Sequence, residues 1–218
     1  MKRAALLVAL LAASTTLVGQ ALTATKAAAP PPSAIAPAIA SLLSPDAITV
    51  TVGDVPVTLW WVNTLPLETS PSGSPKWSDV SEGSLVGVVN VGGTWHDIRG
   101  YVLKPGPYTL RFVMQPQNGD HLGVSPNREF LLVAPAAADT APGVAGAKAA
   151  IDLSKKAVNR AHPSALSLDP PVATRPPLSP VSTDLGLDGV VFGVPTSFQG
   201  QPVGDITFGL ILRGTIQQ

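Results

Sequence analysis

The stretch KPGPYTLRFVMQ, residues 104–115, decides the fold. Lys104-Pro105-Gly106-Pro107 combines fixed φ angles with a residue that tolerates positive ones, which is turn chemistry. From Tyr108 onward the side chains alternate. Tyr108, Leu110, Phe112 and Met114 share one face, and Thr109, Arg111 and Gln115 the other. Alternation of that kind predicts a strand with one face in a core and one toward solvent.

The same pattern continues on both sides. Ile48, Val50 and Val52 alternate with Thr49 and Thr51, and after Gly53-Asp54 the run VPVTLWWV sets Val57, Leu59 and Trp61 on one face with Trp60 outward. Residues 65–84 are dense in Ser, Pro and Gly and read as a long loop. SLVGVVNV, 84–91, is apolar on both faces, the mark of a central strand. In HDIRGYVL, extended alternation turns Ile98 and Val102 inward, and His96 with them, while Asp97, Arg99 and Tyr101 point out. After a polar stretch, REFLLV completes six strands. Such strands with turn signals between them predict an antiparallel β-sandwich.

Beyond Ala134 the composition shifts. Ala147, Ala150, Ile151, Ala157, Val158 and Ala161 recur at helical spacing, predicting one surface helix near residues 146–161, ended by His162-Pro163. Residues 162–180 read as a Pro-rich connector. VVFGV and DITFGLILR then return to the strand pattern, with Ile206, Phe208, Leu210 and Leu212 on one face. Two isolated strands are marginal in water, so these belong with the main sheet. The expectation is an all-β chain, an antiparallel sandwich of about eight strands in one domain over residues 45–216, with a helix inserted late.

PGPYTLR resembles a turn-to-strand motif of Ig-like and related Greek-key sandwiches, in which a Tyr entering a late strand hydrogen-bonds back onto the preceding corner. The resemblance implies a structural role for Tyr108. The layout as a whole, from an Ala/Pro tether through GDHLGVSP to an apolar last strand, resembles exported bacterial proteins with such a sandwich. A jelly-roll arrangement of the same strands stays open. No function follows from either likeness.

Met1-Lys2-Arg3 precedes AALLVALLAASTTLV, uncharged until Lys26. A basic start, an apolar core and small residues make a secretory signal, with Gly19 and Ala21 at the minus-three and minus-one positions. The mature chain then begins at Leu22, and cleavage later in the Ala-rich stretch up to Ala29 stays open. The apolar run falls short of the roughly 20 residues that span a bilayer. Residues 1–21 thus read as signal peptide and 22–44 as an Ala/Pro-rich linker. The expected destination is the periplasm or the extracellular space, with no membrane span after cleavage.

Composition narrows the function. The 218 residues carry 14 Lys plus Arg against 14 Asp plus Glu, and loss of Lys2 and Arg3 leaves 12 against 14. That balance offers no basic field for nucleic acid and no polybasic patch for anionic lipid. The chain has no Cys, which removes disulfides, thiol catalysis and thiolate metal centres. No cofactor motif is present: no Gly-x-Ser-x-Gly elbow, no P-loop and no His-Glu-x-x-His. Asp184 and Asp188 lack the dense oxygen ligands of a calcium loop, and Asp79 and Glu82 sit in a Ser-rich turn. The expectation is a non-catalytic protein with a binding or structural role at the cell envelope.

Three groups of residues carry what binding chemistry the sequence offers. In QPQNGDHLGVSPNREF, 115–130, Asp120, His121 and Arg128 gather in a long loop. Asn118-Gly119-Asp120 and Ser125-Pro126-Asn127 are strong turn formers, so the loop reads first as a turn scaffold and second as a ligand-contacting loop. His96 and His121, each beside an Asp, are weak metal candidates, but the strand register keeps His96 and Asp97 on opposite faces. An outward Trp60, with Trp77 and Trp95, fits stacking on sugar rings, which makes a glycan the alternative to a protein partner. A late helix or connector covering Trp60 removes that use.

Overall fold

The structure, a computed structural model of the chain, describes residues 21–116, 127–169 and 175–216. Its elements in chain order are β1 (Ala24–Ala28), α1 (Pro37–Ala40), β2 (Asp46–Val52), β3 (Val55–Trp61), β4 (Leu65–Pro66), β5 (Leu85–Val91), β6 (Trp95–His96), β7 (Val102–Leu103), β8 (Gly106–Met114), β9 (Glu129–Pro135), α2 (Ala147–Val158), β10 (Ala165–Asp169), β11 (Pro180–Ser182), β12 (Asp188–Phe198) and β13 (Gln201–Arg213).

Alternating β-branched residues make the β2–β3 hairpin, and its turn needs the positive φ of Gly53, +61°. β3 continues antiparallel onto β5, β5 onto β8 and β8 onto β9. β5 is central, as its apolar faces predict, with Leu85, Val86, Val88 and Val89 all buried. Gly87 within it lies so close to β3 that an added Cβ would sit 2.5 Å from the Trp60 carbonyl oxygen.

The terminal hairpin β12–β13 reaches this ladder through β10. Ala165, Leu166 and Ser167 pair with β9, and Leu168 and Asp169 with β13. β4 runs parallel to β12, with Leu65 opposite Thr196. Eleven strands therefore form one mixed, mainly antiparallel sheet, and β6 and β7 form a separate pair. The eight strands expected from alternation become thirteen among the described residues. β4, β6, β7 and β11 are two or three residues long, too short to show a period, and β1 and β10 lie in Ala- and Pro-rich surroundings.

The main core forms between early and late strands. Trp61 packs edge-on against Phe192 and Phe208, at 5.2 and 5.4 Å between ring centroids. Trp77 stacks on Phe112 at 4.9 Å and meets Phe208 edge-on at 5.2 Å. Offset and edge-to-face pairs of this kind add about 0.5–1.5 kcal/mol each beyond their burial. The Trp95 indole, also buried, donates to the Leu212 carbonyl at 3.0 Å, 117 residues along the chain. On the other side of the sheet, α2 covers Val113, Phe130 and Leu132 through Ala147, Ala150 and Ile151.

Four expectations are corrected. Residues 22–44 are not a free tether: β1 pairs with β2, and Leu22, Ile35, Ile39 and Leu43 are buried. Trp60 does not look outward: it belongs to the main buried cluster at 4% exposure, and its Nε1 donates to the Ala29 carbonyl at 2.8 Å. The connector 162–180 contains β10, which joins the two parts of the sheet. Arg111 does not meet solvent. It is 1% exposed, with Nε 2.6 Å from Asp139 Oδ2, Nη2 2.8 Å from Asp139 Oδ1, and Nη1 on the Gly83 and Gly143 carbonyls at 2.7 and 2.8 Å. The loop after β9 folds over that face and supplies the carboxylate, and no periodic pattern announces it.

Tyr108 takes the place its motif implies. Its hydroxyl donates to the Lys104 carbonyl at 2.7 Å, closing the corner before β8.

Candidate functional site

The site forms where α2 packs on the sheet, Ala147 and Ala150 lying against Val113, Phe130 and Leu132. Ser154 is fully buried and anchors the helix, its Oγ lying 2.8 Å from the Val133 carbonyl and 2.7 Å from that of Ser164. Between that anchor and the end of β8 a cavity of about 340 Å³ remains. Val113, Phe130 and Leu132 form its floor and Ile151 its roof, while Met114 and Pro116 close one end.

Its polar lining is cationic. Arg99, Lys155 and His162 all border the cavity, with no carboxylate among the lining residues. Lys155 extends from α2, 3.7 Å from Asp152 on the outer side of the helix. His162 is exposed at the mouth, beyond the left-handed Asn159 (φ 50°) that ends α2. Arg99 Nε is buried and has no hydrogen-bond partner among the described residues. A buried charged donor left unpaired costs about 1–3 kcal/mol or more, and the residue as a whole is half-buried at the cavity border.

Asp97 holds Arg99 there. The chain does not run extended from His96 to Tyr101 but turns, with Gly100 at φ +75°. Asp97 Oδ1 accepts the amide protons of Arg99 and Tyr101 at 2.9 and 2.8 Å, and Oδ2 accepts that of Ala165 at 3.2 Å. The turn is thereby fixed to the start of β10. This reverses the expected register: Asp97 is 1% exposed and His96 lies at the surface. Burial raises the Asp97 carboxyl above its ordinary range, and the Ser164 hydroxyl and the amide donors only partly oppose that.

The residues singled out in the sequence fare unevenly. Asp120 and His121 lie outside the described residues. Arg128 is exposed and donates through Nη2 to the Gln115 carbonyl at 3.1 Å, while the Gln115 amide donates to the Arg128 carbonyl at 2.7 Å. The two ends of the 115–130 stretch are thus tied together at the cavity, which Gln115 lines. Trp60 and Trp95 are both 4% exposed. The glycan reading needed an open indole face, and Trp61 and Trp77 are buried as well. His96 sits on β6, away from Arg99 and His162 of the cavity lining. No three His, Asp or Glu side chains converge on a metal position among the described residues.

A second cavity, about 380 Å³, lies where Leu42 and Val144 are exposed. Hydroxyls and one amide line it, with Glu68 its sole charge and already engaged by Ser81 at 2.8 Å. It brings no reactive grouping together. Among the described residues no helix is long and apolar enough to cross a membrane. No family model, characterised protein or solved structure matches the chain.

Sequence reasoning passed over Arg99, Lys155 and His162 as site residues. Arg99 was assigned to solvent by the wrong register, and His162 was read only as the end of a helix.

Proposed function

We propose that this chain is an exported, non-catalytic binding protein, a sandwich of Ig-like or Greek-key type whose binding site is the cavity beneath α2. The sandwich reading is supported by the Trp61 and Trp77 rings, which lie between early and late strands, and by the Tyr108 corner. Export to the periplasm or beyond rests on the basic-apolar-small order of residues 1–21.

One observation carries the binding role. The cavity is apolar, close to the lower end of the roughly 300–1,000 Å³ of small-molecule sites, and bordered by convergent polar groups on three separate elements. The residues there that could move a proton or attack a bond form no nucleophile–base pair, so the chemistry offered is recognition.

The test is titration of purified protein with N-phenyl-1-naphthylamine, a neutral apolar fluorophore. Saturable binding at one probe per chain is expected, together with its loss in Ile151→Trp, which fills the cavity from its roof. Absence of saturable binding, or binding indifferent to Ile151→Trp, overturns the assignment of the site.

A further inference from the structure

The cavity has a chemical polarity that narrows its ligand. We infer that it takes an amphipathic monocarboxylate, a short to medium acyl or aryl chain ending in a carboxylate, with the chain on Phe130 and the carboxylate between Arg99 and Lys155. This rests on the assignment of the cavity as the binding site.

The floor and roof, Val113, Phe130, Leu132 and Ile151, offer dispersion contacts and no hydrogen bonds. A ligand inside must therefore be apolar over most of its length. At the rim the lining charge has one sign. Arg99 and Lys155 are both cationic, and His162 adds a third charge when protonated. Asp97 accepts three backbone amides on the far side of the turn. Asp152 is shared outside the cavity lining, 2.7 Å from Lys148 and 3.7 Å from Lys155.

Arg99 makes the case specific. A guanidinium is a planar fork of donors suited to the two oxygens of a carboxylate. Here its Nε is buried without a partner in a half-buried turn residue, whereas Arg111, fully buried on β8, has its donors met by Asp139 and carbonyls. A carboxylate arriving at the guanidinium of Arg99 would neutralise it in a site of low polarity, where charge-assisted bonds are strongest. A neutral alcohol of the same chain gains the apolar contacts but leaves the guanidinium unneutralised. The volume of about 340 Å³ excludes a long-chain lipid with a headgroup and fits a single chain of about ten carbons or fewer.

Displacement of N-phenyl-1-naphthylamine from purified protein by decanoate, decanol and decyltrimethylammonium tests this. Decanoate is expected to displace the probe about tenfold or more better than decanol, with the cationic chain weakest. Arg99→Gln and, independently, Lys155→Gln should each reduce the decanoate-to-decanol ratio toward one. Lys155 is on the surface of α2, so its variant reports even where Arg99→Gln loses the fold, which a thermal melt reveals. Equal displacement by decanoate and decanol, or a ratio that both variants leave intact, overturns the carboxylate while leaving the cavity a site. Failure of the neutral probe itself to bind overturns both.

Discussion

The Trp60 indole donates its Nε1 proton to the carbonyl of Ala29 at 2.8 Å, joining a central part of the sheet to a segment whose composition reads as a tether. The bond fixes the boundary of the folded domain well upstream of residue 45. Processing after Ala21 leaves Leu22, itself buried, as the first residue. Processing after Ala29 would remove β1 and expose Trp60. Mass spectrometry of exported protein is expected to give a start at Leu22, and a start at residue 30 would contradict the structure. Trp60→Phe keeps most of the packing and loses the bond, and should cost about 1 kcal/mol in a denaturant melt.

Arg111 and Asp139 should behave as a unit. Asp139→Ala strands a buried guanidinium, a loss of about 3–5 kcal/mol. The apolar pair Arg111→Met with Asp139→Leu should recover a large part of it, since neither charge is then left alone. A double-mutant cycle by urea unfolding measures this, and additive single losses would show that the pair is not coupled.

Tyr108→Phe removes only the hydroxyl that reaches the Lys104 carbonyl. The expected loss is about 1 kcal/mol with the fold and the probe-binding cavity retained. An unchanged midpoint would mean that water replaces the bond without cost.

Asp97 gives the chain a pH signature. Its carboxyl is raised by burial above the ordinary 3.8, so the folded state holds a proton that the unfolded state has released over the window above 3.8. Stability from this group therefore falls as pH rises through that window. Asp97→Asn does not titrate there, but loses the acceptor for the Ala165 amide at all pH values. Thermal melts at pH 3.5 and pH 7 should show the variant improving relative to wild type at the higher pH. A constant difference would remove burial as the dominant influence.

Alternation made β2, β3, β8, β9, β12 and β13 legible, because each is long enough to show a period and each has a face in the core, and an apolar run on both faces did the same for β5. It failed where the backbone left the extended state. Asp97 reads as outward only if residues 96–101 are straight, and the side chain itself bends them by capturing two amides. β1, with the sequence ATKAA, carries no alternation of hydrophobicity, since its place is set by the backbone of β2. The cavity was illegible for a different reason. Its floor comes from Val113, Phe130 and Leu132, its roof from Ile151 and its rim from residues 99, 155 and 162, which no local spacing connects.

The bond from Trp95 to Leu212 bears on the order in which the chain can mature. β1, β2, β3, β5, β8 and β9 pair between neighbours and can assemble as they emerge. Trp95 acquires its acceptor, and Trp61 and Trp77 their Phe208 partner, only when the last strand is present. Until then three indoles lie open on an incomplete sheet, a state prone to association. A chain synthesised from its N-terminus thus keeps its stickiest surface until the end of translation.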